Sequence, residues 1–221
     1  MVKAQNEVEK ISGVDYLIQS IRKYQKDLVI VMTGPLTNIA AAMKKAPDII
    51  GLMGSVVIMG GALTVPGNVN PFAEANIFQD PDAARMLFES KADVTMVGLD
   101  VTQRSQLTFE DTKKWRALKS SSGVAYADMV EYYIRQHEHS EGTACFLHDP
   151  SAVICAVHPE YFTMHPMYMT VVTKGEAAGR TIGDPEKMRG RKPNVKVCIG
   201  VESERLERHL NEVFMDLFSA E

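Results

Sequence analysis

Residues 55–88 read SVVIMGGALTVPGNVNPFAEANIFQDPDAARMLF, and the order of patterns within them points to an α/β fold. Ser55–Met59 is a short apolar run without alternation, the mark of a parallel strand buried on both faces. It runs into Gly60-Gly61, whose plain reading is a tight strand exit. From there to Phe78 the chain carries two prolines and three asparagines with little periodicity. An irregular stretch of this kind inside a compact domain is usually functional or disordered. Asp80-Pro81 then opens a helix to about Ser90, with Asp as N-cap and Pro in the first turn.

The same alternation continues on both sides. Residues 7–25 place Val8, Ile11, Val14, Leu17, Ile18 and Ile21 on a helical stripe. Leu28–Met32 reads as a strand, Thr33–Thr37 as a turn, and Asn38–Lys45 as a helix ending before Pro47. Val94–Gly98 is a third strand, followed by helices over about 108–119 and 123–138 and a further Asp-Pro helix from His148 to about Val157. Met167–Thr173 and Asn194–Ile199 read as strands. Glu202–Phe218 is an amphipathic helix expected to turn Leu206, Leu210, Val213, Phe214 and Leu217 inward. Repeated strand–helix alternation argues for an open, mostly parallel, Rossmann-like sheet flanked by helices. Without repeats or Gly/Ser-rich linkers, residues 1–221 read as one domain.

Composition narrows the partners. The 221 residues are 45% hydrophobic and 24% charged, ordinary values for a chain of this size with one core. A net charge of −4 supplies no basic field for nucleic acid or an anionic membrane. No apolar run approaches the roughly 18 residues of a membrane span, and MVKAQNEVEKISG lacks a signal-peptide core. Cys145, Cys155 and Cys198 are odd in number and widely spaced, which fits neither a disulfide framework nor a zinc site. The expected setting is cytoplasmic. Thirteen methionines suit adaptable core filling.

Ligands of open α/β sheets bind outside the carboxyl ends of the strands. Three strands end in turns there: Thr33-Gly34-Pro35, Gly60-Gly61, and Leu99-Asp100-Val101-Thr102. None is a dinucleotide fingerprint or a P-loop. Asn68, Glu74 and Asn76 fall within nine residues and suit a polyol such as a sugar, although Asn in such a loop also serves its own backbone. Asp149 can cap the helix that Pro150 begins, the commoner job, or can be a carboxylate ligand for a hard cation such as Ca²⁺. A strand-end carbonyl such as that of Thr33 would be a second oxygen, and two do not make a strong site. His148 beside it reads either as a packed imidazole or as an acid/base group. Tyr133 and His137 lie i, i+4 on one helical face, as core and rim or as a stack for an aromatic base.

Taken together, TGPLTNIA (33–40), the 56–88 segment, TMVGLDVT (95–102) and LHDPSAV (147–153) resemble the inosine–uridine-preferring nucleoside hydrolase family in text, order and spacing. The resemblance implies hydrolysis of the N-glycosidic bond of ribonucleosides to ribose and base, with a bound Ca²⁺. It places the Thr33 carbonyl and the Asp149 carboxylate on the metal. It places Met59, Asn68, Glu74 and Asn76 on the ribose, and His148 at the leaving base; Tyr133 and His137 are the candidates for base contacts. Two departures stand out. Ala75 follows Glu74 where several members carry Phe. More seriously, the family's D-x-D-x-x-x-D-D cluster, which supplies most metal carboxylates and the base for water, occurs nowhere in these 221 residues. The expectation is therefore a nucleoside hydrolase fold lacking its first strands, weakly active or inactive by itself. The alternative is a non-catalytic ribose-binding or assembly module. A sheet without those strands would expose an apolar edge, so self-association is expected.

Overall fold

Four β-branched residues in a row, Ile30, Val56, Val94 and Val195, are paired partners across four neighbouring strands, and they define the centre of the sheet. The computed structural model describes residues 8, 10–136, 143–183 and 192–220. Helix α1 (Gly13–Tyr24) precedes β1 (Ile30–Met32), α2 (Thr37–Lys45) and α3 (Ile49–Leu52). Then come β2 (Ser55–Met59), α4 (Ala75–Gln79), α5 (Pro81–Glu89), β3 (Asp93–Val97) and α6 (Leu99–Thr102). A second group follows: β4 (Gln106–Thr108), α7 (Phe109–Ala117), α8 (Ser121–Gln136), β5 (Ala144–Phe146) and α9 (His148–Val157). The chain ends through β6 (Phe162–Met167), β7 (Met169–Val171), β8 (Thr181–Gly183), β9 (Val195–Val201) and the long helix α10 (Ser203–Ser219).

The main sheet runs β1-β2-β3-β9-β6, parallel except for the antiparallel edge strand β6. Side chains alternate across a strand, so each central strand feeds two cores. Val56, Ile58, Val94, Met96, Val195 and Val197 pack on one face beneath α1, α2 and α5, with Leu87 and Phe88 fully buried. Val57, Met59, Val97 and Cys198 pack on the other beneath α7, α9 and α10, around Trp115. Each such large side chain contributes roughly 1.5–3 kcal/mol on burial. The open, mostly parallel sheet flanked by helices is the fold class expected from the alternation.

Several expected boundaries move, each for a local reason. Helix α1 begins at Gly13 because Ser12 caps it, its Oγ accepting from the Asp15 N–H at 3.1 Å. Val8 and Ile11 therefore lie outside the helix, exposed. The strand expected over 167–173 is β7 at Met169–Val171, and ahead of it β6 runs from Phe162 to Met167, where no strand was expected. Pro166 is tolerated in β6 because, among the described residues, that strand is an edge paired with β9 alone. On α10 the buried stripe runs Leu206, Leu210, Phe214 and Phe218, at four-residue steps. That stripe rotates Val213 and Leu217 outward, and both are exposed rather than inward.

Candidate active site

The loop after β2 is ordered by donors and acceptors supplied from distant parts of the chain. Asp100, buried in α6, accepts from the N–H groups of Leu63 (2.8 Å) and Thr64 (2.7 Å) and from the Thr64 hydroxyl (2.6 Å). The Thr181 hydroxyl accepts from the Ala62 N–H at 3.0 Å and donates to its carbonyl at 2.9 Å. The Arg180 guanidinium donates to the carbonyls of Leu63, Val65 and Phe72. Within the loop, Asn70 Oδ1 accepts from the N–H groups of Phe72 and Ala73, so this asparagine serves the backbone. Gly67 is required by space. A Cβ there would lie 2.1 Å from the Ala73 carbonyl oxygen.

Held this way, the loop presents three polar side chains. Glu74 is the N-cap of α4; its Oε1 accepts from the Asn76 N–H at 2.8 Å and its Oε2 from Ile77 (3.1 Å) and Gly61 (3.0 Å). Burial raises its carboxyl above the usual range, opposed by those N–H groups and reinforced by Asp149. A carboxylate has about four lone-pair sites. Three N–H groups leave one on Oε1 for a ligand hydroxyl. Asn68 Oδ1 accepts from the Ala75 N–H at 2.9 Å, which turns its amide NH₂ outward. Asn76 donates its NH₂ to the Met59 carbonyl (3.1 Å) and thioether (3.4 Å), leaving its own oxygen as an acceptor.

The opposite wall is the start of α9. His148 Nδ1 lies 2.7 Å from the hydroxyl of Thr102, and the Phe146 ring stands edge-on to the imidazole. Burial lowers the imidazole below its ordinary range. Asp149 does not cap α9. The helix begins at His148, Leu147 holds the N-cap position, and no side-chain bond is made there. Asp80, by contrast, does cap its helix, accepting from the Ala83 N–H at 3.0 Å. The Asp149 carboxylate is left facing the pocket, and partial burial raises it above the usual range.

These groups meet in one cavity of about 320 Å³, within the range of small-molecule sites. Its lining brings together Thr33, Met59, Asn68, Glu74, Asn76, Tyr133, His148 and Asp149, all singled out from sequence. Tyr133 joins them from α8, its phenol raised by burial. His137 lies outside the described residues. Sequence reasoning missed Thr102, Arg180 and Thr181; only Thr102 fell within a noted motif.

The oxygens of Asp149 and Thr33 have the hardness calcium prefers, but Ca²⁺ takes roughly six to eight ligands. Among the described residues no group of three His, Cys, Asp or Glu side chains is placed to hold a metal. Among the described residues, the Asp149 carboxylate and the Thr33 carbonyl are thus short of a full calcium ligand set.

The model of the inosine-uridine preferring nucleoside hydrolases matches residues 1–208. The chain belongs to this family. A purine-preferring ribonucleoside hydrolase from Gardnerella vaginalis superposes with a TM-score of 0.95 at 45% identity, over 100% of this chain and 70% of that one. A plant nucleoside hydrolase superposes at 0.89 and 33% identity, over 96% and 69%. Among curated relatives, the pyrimidine-specific ribonucleoside hydrolase RihA of Escherichia coli is 34% identical over 88% of this chain and 63% of its own. The probable uridine nucleosidase 1 of Oryza sativa is 37% identical over 78% and 54%. This nucleoside hydrolase family chain thus spans between 54% and 63% of the length of these two curated relatives.

Proposed function

We propose that the pocket binds a ribonucleoside and that, within a complete site, its residues serve hydrolysis of the N-glycosidic bond to ribose and free base. The observation that supports this most is convergence. Five separated segments bring a sugar-binding set of two amides and a buried carboxylate opposite an imidazole, in one cavity. The Asn68 amide donates to a ribose hydroxyl, while Glu74 Oε1 and the Asn76 oxygen accept from hydroxyls. Met59 packs beside the sugar. Glycoside hydrolysis passes through an oxocarbenium-like transition state, in which hydroxyl contacts strengthen. His148 stands where a donor eases departure of the base, and Tyr133 offers it an aromatic face.

Asp149 and the Thr33 carbonyl would help hold a Ca²⁺, which would supply a hard Lewis acid beside the sugar, only alongside further acidic ligands. The 221 residues contain no D-x-D-x-x-x-D-D cluster to provide them or the base for water. The chain by itself is therefore proposed to be weakly active or inactive. Steady-state release of base from inosine and uridine, with Ca²⁺ added to the purified 221-residue chain, tests this. Little or no turnover is expected, and turnover near that of full-length relatives would overturn it. The names of the relatives divide between purine and pyrimidine preference, so the proposal stops at ribonucleosides. Among the described residues no three such side chains gather as metal ligands, which leaves a non-catalytic ribose- or nucleoside-binding module as the second reading.

A further inference from the structure

We propose that Thr102 sets the tautomer of His148, so that a neutral imidazole presents Nε2–H to the pocket and selects a ligand with a hydrogen-bond acceptor there. Thr102 ends α6 and is fully buried. Its backbone N–H is already used, donating to the Gly98 carbonyl at 3.1 Å. Among the described residues, its hydroxyl has one hydrogen-bond partner, His148 Nδ1 at 2.7 Å. A buried hydroxyl carries one proton that needs an acceptor, and leaving it unpaired is costly. Donation to the Nδ1 lone pair satisfies it. The reverse arrangement, Nδ1–H donating to Oγ1, would strand the hydroxyl proton in the interior. With Nδ1 acting as acceptor, the ring proton of the neutral imidazole resides on Nε2.

Nε2 makes no hydrogen bond with the described residues, and the imidazole lines the cavity opposite Asn68 and Asn76. Thr102 is thus a positioning residue. The consequence for the ligand rests on the nucleoside reading of the pocket: the group met by His148 on the base is an acceptor, a ring nitrogen or a carbonyl oxygen. The tautomer itself does not depend on that reading.

The test is a long-range proton–nitrogen correlation spectrum of the ¹⁵N-labelled 221-residue chain, free of nucleoside, above the pH of imidazole titration. His148 is assigned by its absence in H148Q. The expected spectrum shows the Nε2–H form alone, with the Nδ1 resonance displaced from the free-imidazole position by the bond it accepts. Free imidazole also favours Nε2–H, so this displacement is the discriminating signal. Thr102→Ser keeps it and Thr102→Val loses it. An Nδ1–H form in the native chain or in T102S, or a T102V spectrum identical to the native one, overturns the assignment. If T102V fails to fold, the native and T102S spectra still decide. No nucleoside is present, so a failure of nucleoside binding leaves this result standing. Binding together with an Nδ1–H imidazole sinks the tautomer alone.

Discussion

Glu74 Oε2 accepts the backbone N–H of Gly61 at 3.0 Å, so one buried carboxylate joins the exit of β2 to the start of α4. The second glycine of the pair is required at this turn. Gly61 adopts φ +88°, a left-handed conformation that favours glycine, and a Cβ there would crowd Met96 and Thr181 at 3.0 Å. The strand exit and the ligand loop are therefore one construction, and the carboxylate that would face a sugar also closes the turn beneath it.

That double duty predicts a pH-dependent stability. Burial is the largest influence on Glu74 and raises its carboxyl above the ordinary 4.5. A carboxyl raised in the folded state binds its proton more tightly there than in the unfolded chain. Its contribution is complete below the unfolded value and is lost as pH rises through the folded value. Glu74→Gln does not titrate, and its NH₂ group meets N–H donors at a roughly constant cost of about 1–3 kcal/mol. The stability advantage of the native chain over E74Q should thus shrink as pH rises above about 4.5. Urea unfolding midpoints across that range measure it, and an advantage that stays flat or grows contradicts the prediction.

The loop should fail as a unit when its supports are cut. Gly67→Ala drives a methyl group into the backbone of Ala73, an overpacking that costs about 1–3 kcal/mol. Asp100→Asn replaces one acceptor oxygen by an NH₂ group, set against either the Leu63 N–H or the two Thr64 donors, with a loss of similar size. Hydrogen exchange should accelerate over residues 61–76 in both variants, while β3 stays protected. Acceleration spread evenly through the sheet would show that the loop is not the affected unit.

The edge of the main sheet bears on assembly. Among the described residues β1 pairs only with β2, and its other edge carries Ile30, Val31 and Met32 without a strand beside it. Unpaired apolar edges template association. Light scattering of the purified chain should give a mass above that of one copy, and a strictly monomeric chain would contradict this.

Much of this arrangement was readable in advance where local chemistry has a single outcome. Asp80-Pro81 caps a helix as written, and the short, mostly apolar runs at 55–59 and 94–97 are central parallel strands. The candidate site residues were named through the family resemblance rather than through spacing. Spacing alone left Asn68, Glu74 and Asn76 open between loop and ligand duty, and the structure shows why. Each spends part of its polar capacity on backbone groups and turns the remainder to the pocket. Thr102, Arg180 and Thr181 were not recognised because their roles depend on contacts with residues 46 to 119 positions away. The face of α10 was misjudged at Val213 and Leu217. Apolar content widened the apparent stripe beyond the side that Trp115 and its neighbours cover.

Calorimetric titration of inosine and of uridine into the 221-residue chain tests the central claim, that this cavity is a ribonucleoside site. The account predicts a saturable heat for at least one of them at millimolar ligand. In Asn76→Ala, which removes the amide bridging Met59 and the cavity, that heat should be lost. No heat for either nucleoside, or a heat unchanged in N76A, would contradict it.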